Sequence, residues 1–132
     1  MAIIIKSLAD NQLIATTSAP DSLEYEPPGT PVARTAVVRN IRLANADDTN
    51  PPTIPATVLV ECEAEDGARD SSGSKALRKL GPVNLVIPPN GRVLLDEEIT
   101  LDTSDKLKVT LLQPASGTAK LDVVISGIER EF

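Results

Sequence analysis

The residues of this chain whose types and spacing suit chemistry are nearly all carboxylates. Asp96-Glu97-Glu98 closes the run VLLDEE, Asp47-Asp48 follows LANA, Glu65, Asp66 and Asp70 share EDGARD, and Asp102 and Asp105 bracket DTSD. In an extended strand Asp96 and Glu98 lie on one face and Glu97 on the other. Paired carboxylates of that kind serve glycosidases as acid and base. Such sites sit in clefts lined by aromatic rings that stack on sugars, and this chain has one Tyr, one Phe and no Trp. The other acidic groups offer oxygen ligands to calcium, but none has the alternating spacing and bidentate terminal Glu of an EF-hand loop. Each reads as a solvated turn.

The remaining chemistry is sparse. There is no histidine, which removes the commonest general base, the usual activator of a nucleophile and the commonest zinc ligand. Cys62 is the sole cysteine. It cannot form an intrachain disulfide, and in TVLVECEA it falls in phase with Val58 and Val60, as a small apolar core residue would. No phosphate-cradling glycine loop occurs, and Ser126-Gly127 lacks the flanking glycine of a hydrolase elbow. The sequence predicts no catalytic residue, no metal site and no cofactor.

At 132 residues the chain is long enough for one domain, burying roughly two thirds of its unfolded surface. Its core must be made of Val, Ile, Leu and Ala. The net charge is −6, and the 13 Lys and Arg are interleaved with 19 acids, so no basic stripe is present to neutralise phosphates. Nucleic acid is not an expected partner. Nor is a membrane: the apolar run in MAIIIKSLADNQ is too short for a signal peptide or a span. Synthesis in the cytoplasm without a cleaved leader is the expectation.

The elements that must carry these residues are strands. Eleven prolines, spread from Pro20 to Pro114, leave little room for long helices, and the runs between them are β-branched. Val58, Val60 and Cys62 alternate with Thr57, Leu59, Glu61 and Glu63. Val83, Leu85 and Ile87 form another inward set, as do Leu107, Val109 and Leu111, and Leu121, Val123 and Ile125. In TAVVRNIRLAN, Val37, Ile41 and Leu43 alternate with Val38, Asn40 and Arg42. Arg39 then falls in the apolar phase, which an open strand end or a β-bulge would explain. Turns are expected at Pro88-Pro89-Asn90-Gly91, with Asn90 and Gly91 suited to positive φ, at Asp102–Asp105 and at Ser116-Gly117. The pattern predicts an all-β, antiparallel two-sheet β-sandwich, jelly-roll-like, of about eight or nine strands in a single domain. Glu65–Lys75 reads as an exposed, mobile loop, Glu26–Arg34 as a proline-stiffened connector, and Ser74–Leu80 as a short helix.

Residues 1–18 stand apart from the sandwich domain proper, 19–132. Ile3, Ile4 and Ile5 form an apolar patch, followed by a second β-prone run at Gln12–Thr17. The segment is an edge strand of the same domain or an arm exchanged with a neighbouring subunit. Ile3, Ile4 and Ile5, with Tyr25 and the arginines Arg39 and Arg42, are the candidate subunit contacts.

Three stretches carry a resemblance: TAVVRNIRLAN, then IPPNGRVLLDEEITLDTSDKLKV, then LDVVISGIE, preceded by LEYEPPGTPVART. Over Ser22–Glu129 the chain resembles small β-sandwich structural proteins of tailed bacteriophages. The resemblance implies a non-enzymatic virion subunit repeated by symmetry. Its expected role is that of a capsid decoration, or cement, protein that associates with copies of itself as trimers, dimers or rings and with the major capsid protein. A tail, neck or fibre-base subunit contacting tail proteins is the alternative within the virion, and a stand-alone binding module is the alternative of another class.

Overall fold

Ten β-strands make up the regular structure of the computed structural model, which describes residues 3–29, 32–47, 49–63, 78–79, 85–96, 98–103 and 105–131. They are β1 (Ile3–Thr16), β2 (Asp21–Tyr25), β3 (Arg34–Ala44), β4 (Ala56–Glu63), β5 (Arg78–Lys79), β6 (Leu85–Ile87), β7 (Arg92–Leu95), β8 (Ile99–Leu101), β9 (Lys106–Leu111) and β10 (Thr118–Glu131). Among the described residues no helix is long and apolar enough to cross a membrane.

The strands form two antiparallel sheets, as the alternation predicts. The first, sheet A, runs β1-β10-β3, and β7 and β8 both lie along the far edge of β3. The second, sheet B, runs β2-β9-β4, with β5 and β6 both along the far edge of β4. Two long strands are thus each covered by two short ones, which accounts for ten strands where eight or nine were expected. Inward-facing Leu13, Ile41, Leu43, Leu121, Val123 and Ile125 of sheet A pack against Val58, Val60, Cys62, Ile87, Leu107, Val109 and Leu111 of sheet B. Cys62 is a core residue, as its phase predicts.

In β3 the phase differs from the sequence reading. Ala36 and Val38 are buried and Val37 faces outward, whereas Ile41 and Leu43 are buried as expected. The cause is a bulge: Ser126 of β10 pairs with Asn40 but Gly127 pairs with Val38, which leaves Arg39 unopposed. One extra residue flips every side chain upstream of it to the other face. The strands come so close here that a Cβ on residue 127 would lie 2.1 Å from the Val37 carbonyl oxygen. Only glycine fits opposite the bulge.

The three predicted turns all form, but each joins a strand of one sheet to a strand of the other instead of closing a hairpin. At Pro88–Gly91 the Gly91 N–H donates to the Pro88 carbonyl at 2.8 Å, and Asn90 takes φ of 63°. Gly91 does not share the positive φ expected of it. It is there for space, since a Cβ would meet the Pro88 oxygen at 2.9 Å. Gly117, at φ 75°, turns the chain from β9 into β10. Of the helix expected over Ser74–Leu80, Arg78–Lys79 is instead strand β5, paired with Glu61 and Cys62. The rest of that segment and the Glu65–Lys75 loop lie outside the described residues.

β1 is the edge strand of sheet A. It pairs with β10 of its own chain from Ile3↔Arg130 to Thr16↔Thr118, with a bulge at Leu8. The C-terminal half of its outer edge is capped by side chains: the Asp21 carboxylate accepts from the Ile14 N–H at 3.0 Å and the Asn11 amide oxygen from the Gln12 N–H at 2.9 Å. Such caps satisfy edge amides that would otherwise recruit another strand.

Candidate functional site

Two polar centres lie inside the sandwich. Glu129, on β10, is 1% exposed. Its carboxylate accepts the Tyr25 hydroxyl at 2.9 Å from the opposite sheet and the Arg34 Nη1 at 2.7 Å. Arg34 also donates through Nε and Nη2 to Glu131. Its backbone N–H donates to Pro28, and its carbonyl accepts from the Thr103 hydroxyl. Burial, and then the hydrogen bond to Glu129, push the Tyr25 phenol well above its ordinary value. The carboxylates of Glu129 and then Glu131 hold the Arg34 guanidinium even more firmly protonated than usual. The cluster is a clamp between sheets, with the geometry of a satisfied ion pair, not of a proton shuttle.

Asn45, fully buried at the end of β3, is the second centre. Its backbone N–H donates to Gly91 and its carbonyl accepts from the Asn90 N–H, while its Nδ2 donates to the Ile54 and Ile87 carbonyls at 3.0 and 3.1 Å. It fixes the Pro88–Gly91 corner against the approach to β4.

The open site is the outer face of sheet A. Cross-strand register places Leu94, Arg42, Val124 and Asp10 in one row and Arg92, Ala44, Asp122 and Gln12 in the next. Together with the Asp47 loop these rows, Asp10 excepted, line a groove of about 850 Å³. Leu94 is 55% exposed and Ile14, beyond the second row, is 47% exposed. At the groove's end Lys120 Nζ lies 2.9 Å from Asp47. That hydrogen bond, reinforced by the Thr49 and Asn50 amides, pushes the Asp47 carboxyl down to about 2.

The six candidate contacts are scattered over the molecule. Ile3, Ile4 and Ile5 lie on β1 opposite Arg130, Glu129 and Ile128. Tyr25 is inside the core, 6% exposed, with its hydroxyl committed to Glu129. Arg39 stands on the bulge and meets Glu98 at 3.3 Å, both side chains more than half exposed. Arg42 alone of the six faces the groove, one residue diagonally from Arg92.

Among the described residues the carboxylate clusters do not assemble either; Asp48, Glu65, Asp66, Asp70 and Glu97 lie outside them. Asp96 is exposed, and Glu98 is the partner of Arg39. Asp105 turns inward, 3% exposed, so that its carboxylate accepts the Asp102 N–H at 2.9 Å and closes its own turn. Among the described residues no three His, Cys, Asp or Glu side chains converge as a metal site would require. What the outer face offers is ion pairing and apolar contact.

Sequence reasoning missed Glu129, Arg34 and Asn45, although two of them left a signal. Leu121, Val123 and Ile125 set an inward phase that runs on through Gly127 to Glu129, and Ile41 and Leu43 set one that runs on to Asn45. A charged or amide residue in the inward phase of a strand announces a buried partner.

No family model matches the chain, and no curated protein matches it. Among solved structures, one described as "Structure of infectious bursal disease virus Gt strain" aligns over 95% of this chain at 8% identity and a TM-score of 0.38. The Gx strain structure of that virus aligns over 93% at 9% identity and a TM-score of 0.21. This chain spans 34% of the first structure's chain and 41% of the second's. The two-sheet sandwich is shown by the strand pairing itself.

Proposed function

We propose that the protein is a non-enzymatic structural subunit of a virion, serving as a capsid decoration protein of a tailed bacteriophage. The supporting observation is that the stretches carrying the resemblance are the strands of the sandwich. TAVVRNIRLAN is β3 from Thr35 to Ala44 followed by Asn45, the long central stretch runs from the end of β6 into β9, and LDVVISGIE lies within β10. Among the described carboxylates, Asp105 and Asp47 cap turns and Glu129 clamps the sheets. A rigid domain with a mixed polar and apolar outer face suits a subunit that stabilises a lattice by burying area across junctions, at about 25 cal/mol per Å² before association costs.

The test is the copy number and position of the protein in purified particles, by quantitative mass spectrometry and cryo-electron microscopy. Copies on the order of hundreds on the head surface support decoration. About six or twelve copies at the portal axis would move the subunit to tail or neck. Absence from every particle would remove the virion reading.

A further inference from the structure

In the two rows at the groove on the outer face of sheet A, charge is divided between the two halves. The β1–β10 half presents Asp10 and Asp122, and the β3–β7 half presents Arg42 and Arg92; Lys120, paired with Asp47, and Arg130 of β10 lie outside these rows. Leu94, Val124 and Ala44 lie between and beside them. Among the described residues neither arginine has a carboxylate within ion-pair distance. Leu94 is more than half exposed in the same row as Arg42.

We propose that this face docks a second copy of the chain, sheet A against sheet A, about a two-fold axis parallel to the strands. That operation reverses the strand order, so β3 lies over β10 of the second copy and β7 over its β1. Arg42 then sits above the second copy's Val124. Within one strand spacing, about 4.8 Å, is that copy's Asp10, and two residues along the strand, about 7 Å, is its Asp122. Both are within the reach of an arginine side chain. Leu94 sits over the second copy's Asp10, one strand spacing from that copy's Val124. Symmetry makes every contact twice, as an isologous interface requires. A two-fold axis across the strands would instead set β3 on β3 and arginine against arginine, so the charge pattern selects the first arrangement.

The face is large enough. Four strands span about 19 Å, and the shared length of roughly 36 Å along β3 gives about 700 Å² per copy, an upper bound because the sheets twist. The total of about 1,400 Å² falls within the range of specific interfaces. The inference does not depend on the virion reading, since it concerns the free protein.

The experiment is sedimentation velocity with light scattering on the full chain from about 1 to about 500 μM, a range that brackets a weak to moderate dimer. A monomer–dimer equilibrium is expected. Arg42→Asp and Asp10→Arg are each expected to shift it at least tenfold toward monomer, and Leu94→Asp likewise, with circular dichroism unchanged. Mixing Arg42→Asp with Asp10→Arg sets opposite charges against each other at both symmetry-related contacts and is expected to restore a dimer. A protein that stays monomeric over the whole range overturns the proposal. So does a dimer indifferent to both charge reversals, or a mixture that fails to pair. Because the readout is assembly in free solution, it is separate from particle copy number: either result can fail while the other stands.

Discussion

Single residues decide how the two sheets are held together. Tyr25→Phe removes one donor from the buried Glu129 carboxylate, and a lost buried hydrogen bond of this type costs about 1–2 kcal/mol. Glu129→Ala strips the carboxylate from both Tyr25 and Arg34 and is expected to cost about 3–5 kcal/mol, as breaking a buried pair does. The ordering of these two variants in urea melts is the check; equal midpoints would mean that Arg34 and Tyr25 find other partners. Gly127→Ala is expected to be as damaging as the Glu129 variant, because a methyl group cannot stand 2.1 Å from the Val37 carbonyl oxygen without moving backbone. Legibility at this scale was uneven. The inward phase of β10 was clear as far as Ile125, and it also contained Glu129. The identity of its partners was hidden, because Tyr25 and Arg34 are 104 and 95 residues away in sequence. Local periodicity gives direction, while partner choice is a tertiary fact.

At the scale of elements, strand phase was legible wherever the ladder is regular. In β4, β9 and β10 the alternating apolar residues are the buried ones. β3 shows where such reading ends. Arg39 in the apolar phase signalled a discontinuity, but the alternation could not say which half kept the phase, since both Val37 and Val38 are apolar. The turns were legible as turns from their Pro, Asn, Gly and Asp content. Their role as corners between sheets was not, because turn chemistry carries no information on which strand the next one joins. The bulge can be tested by substitution and by deletion. Arg39→Ala removes only an exposed pair with Glu98, worth at most about 1 kcal/mol. Deleting Arg39 closes the bulge: Val38 and Asn40 become neighbours on opposite faces, so Ala36, Val38, Ile41 and Leu43 all keep facing the core. The substituted protein is expected to unfold within a few degrees of the parent in circular dichroism melts. The deletion variant is expected to keep a cooperative transition, and loss of that transition would show that the fold needs the local bend of the bulge as well as the inward phase.

For the whole molecule, the acidic balance makes low pH the informative stress. With a net charge of −6 at neutral pH, mild acid first relieves self-repulsion among carboxylates. Deeper acid attacks the pairs that hold the loops. Asp47 is the clearest case: its carboxyl, ordinarily near 3.8, is pushed down to about 2, chiefly by Lys120 and then by the Thr49 and Asn50 amides. The folded state therefore binds this proton less readily than the unfolded chain does. Its contribution to stability is fully present above about 3.8, declines as the pH falls below that value, and is gone once the pH passes below about 2. Asp47→Asn removes the titrating group, so the variant is expected to be less stable than the parent at pH 5 and to approach it near pH 2. Circular dichroism is the suitable probe, because the chain has no Trp and its one Tyr is buried in the core. Lys120→Met separates the two sources of the effect. It abolishes the ion pair but leaves the backbone amides, so part of the pH dependence is expected to survive. A parent and an Asp47→Asn variant that differ by the same amount at both pH values would place the acid sensitivity in other carboxylates and leave the Asp47 loop held by its amides alone.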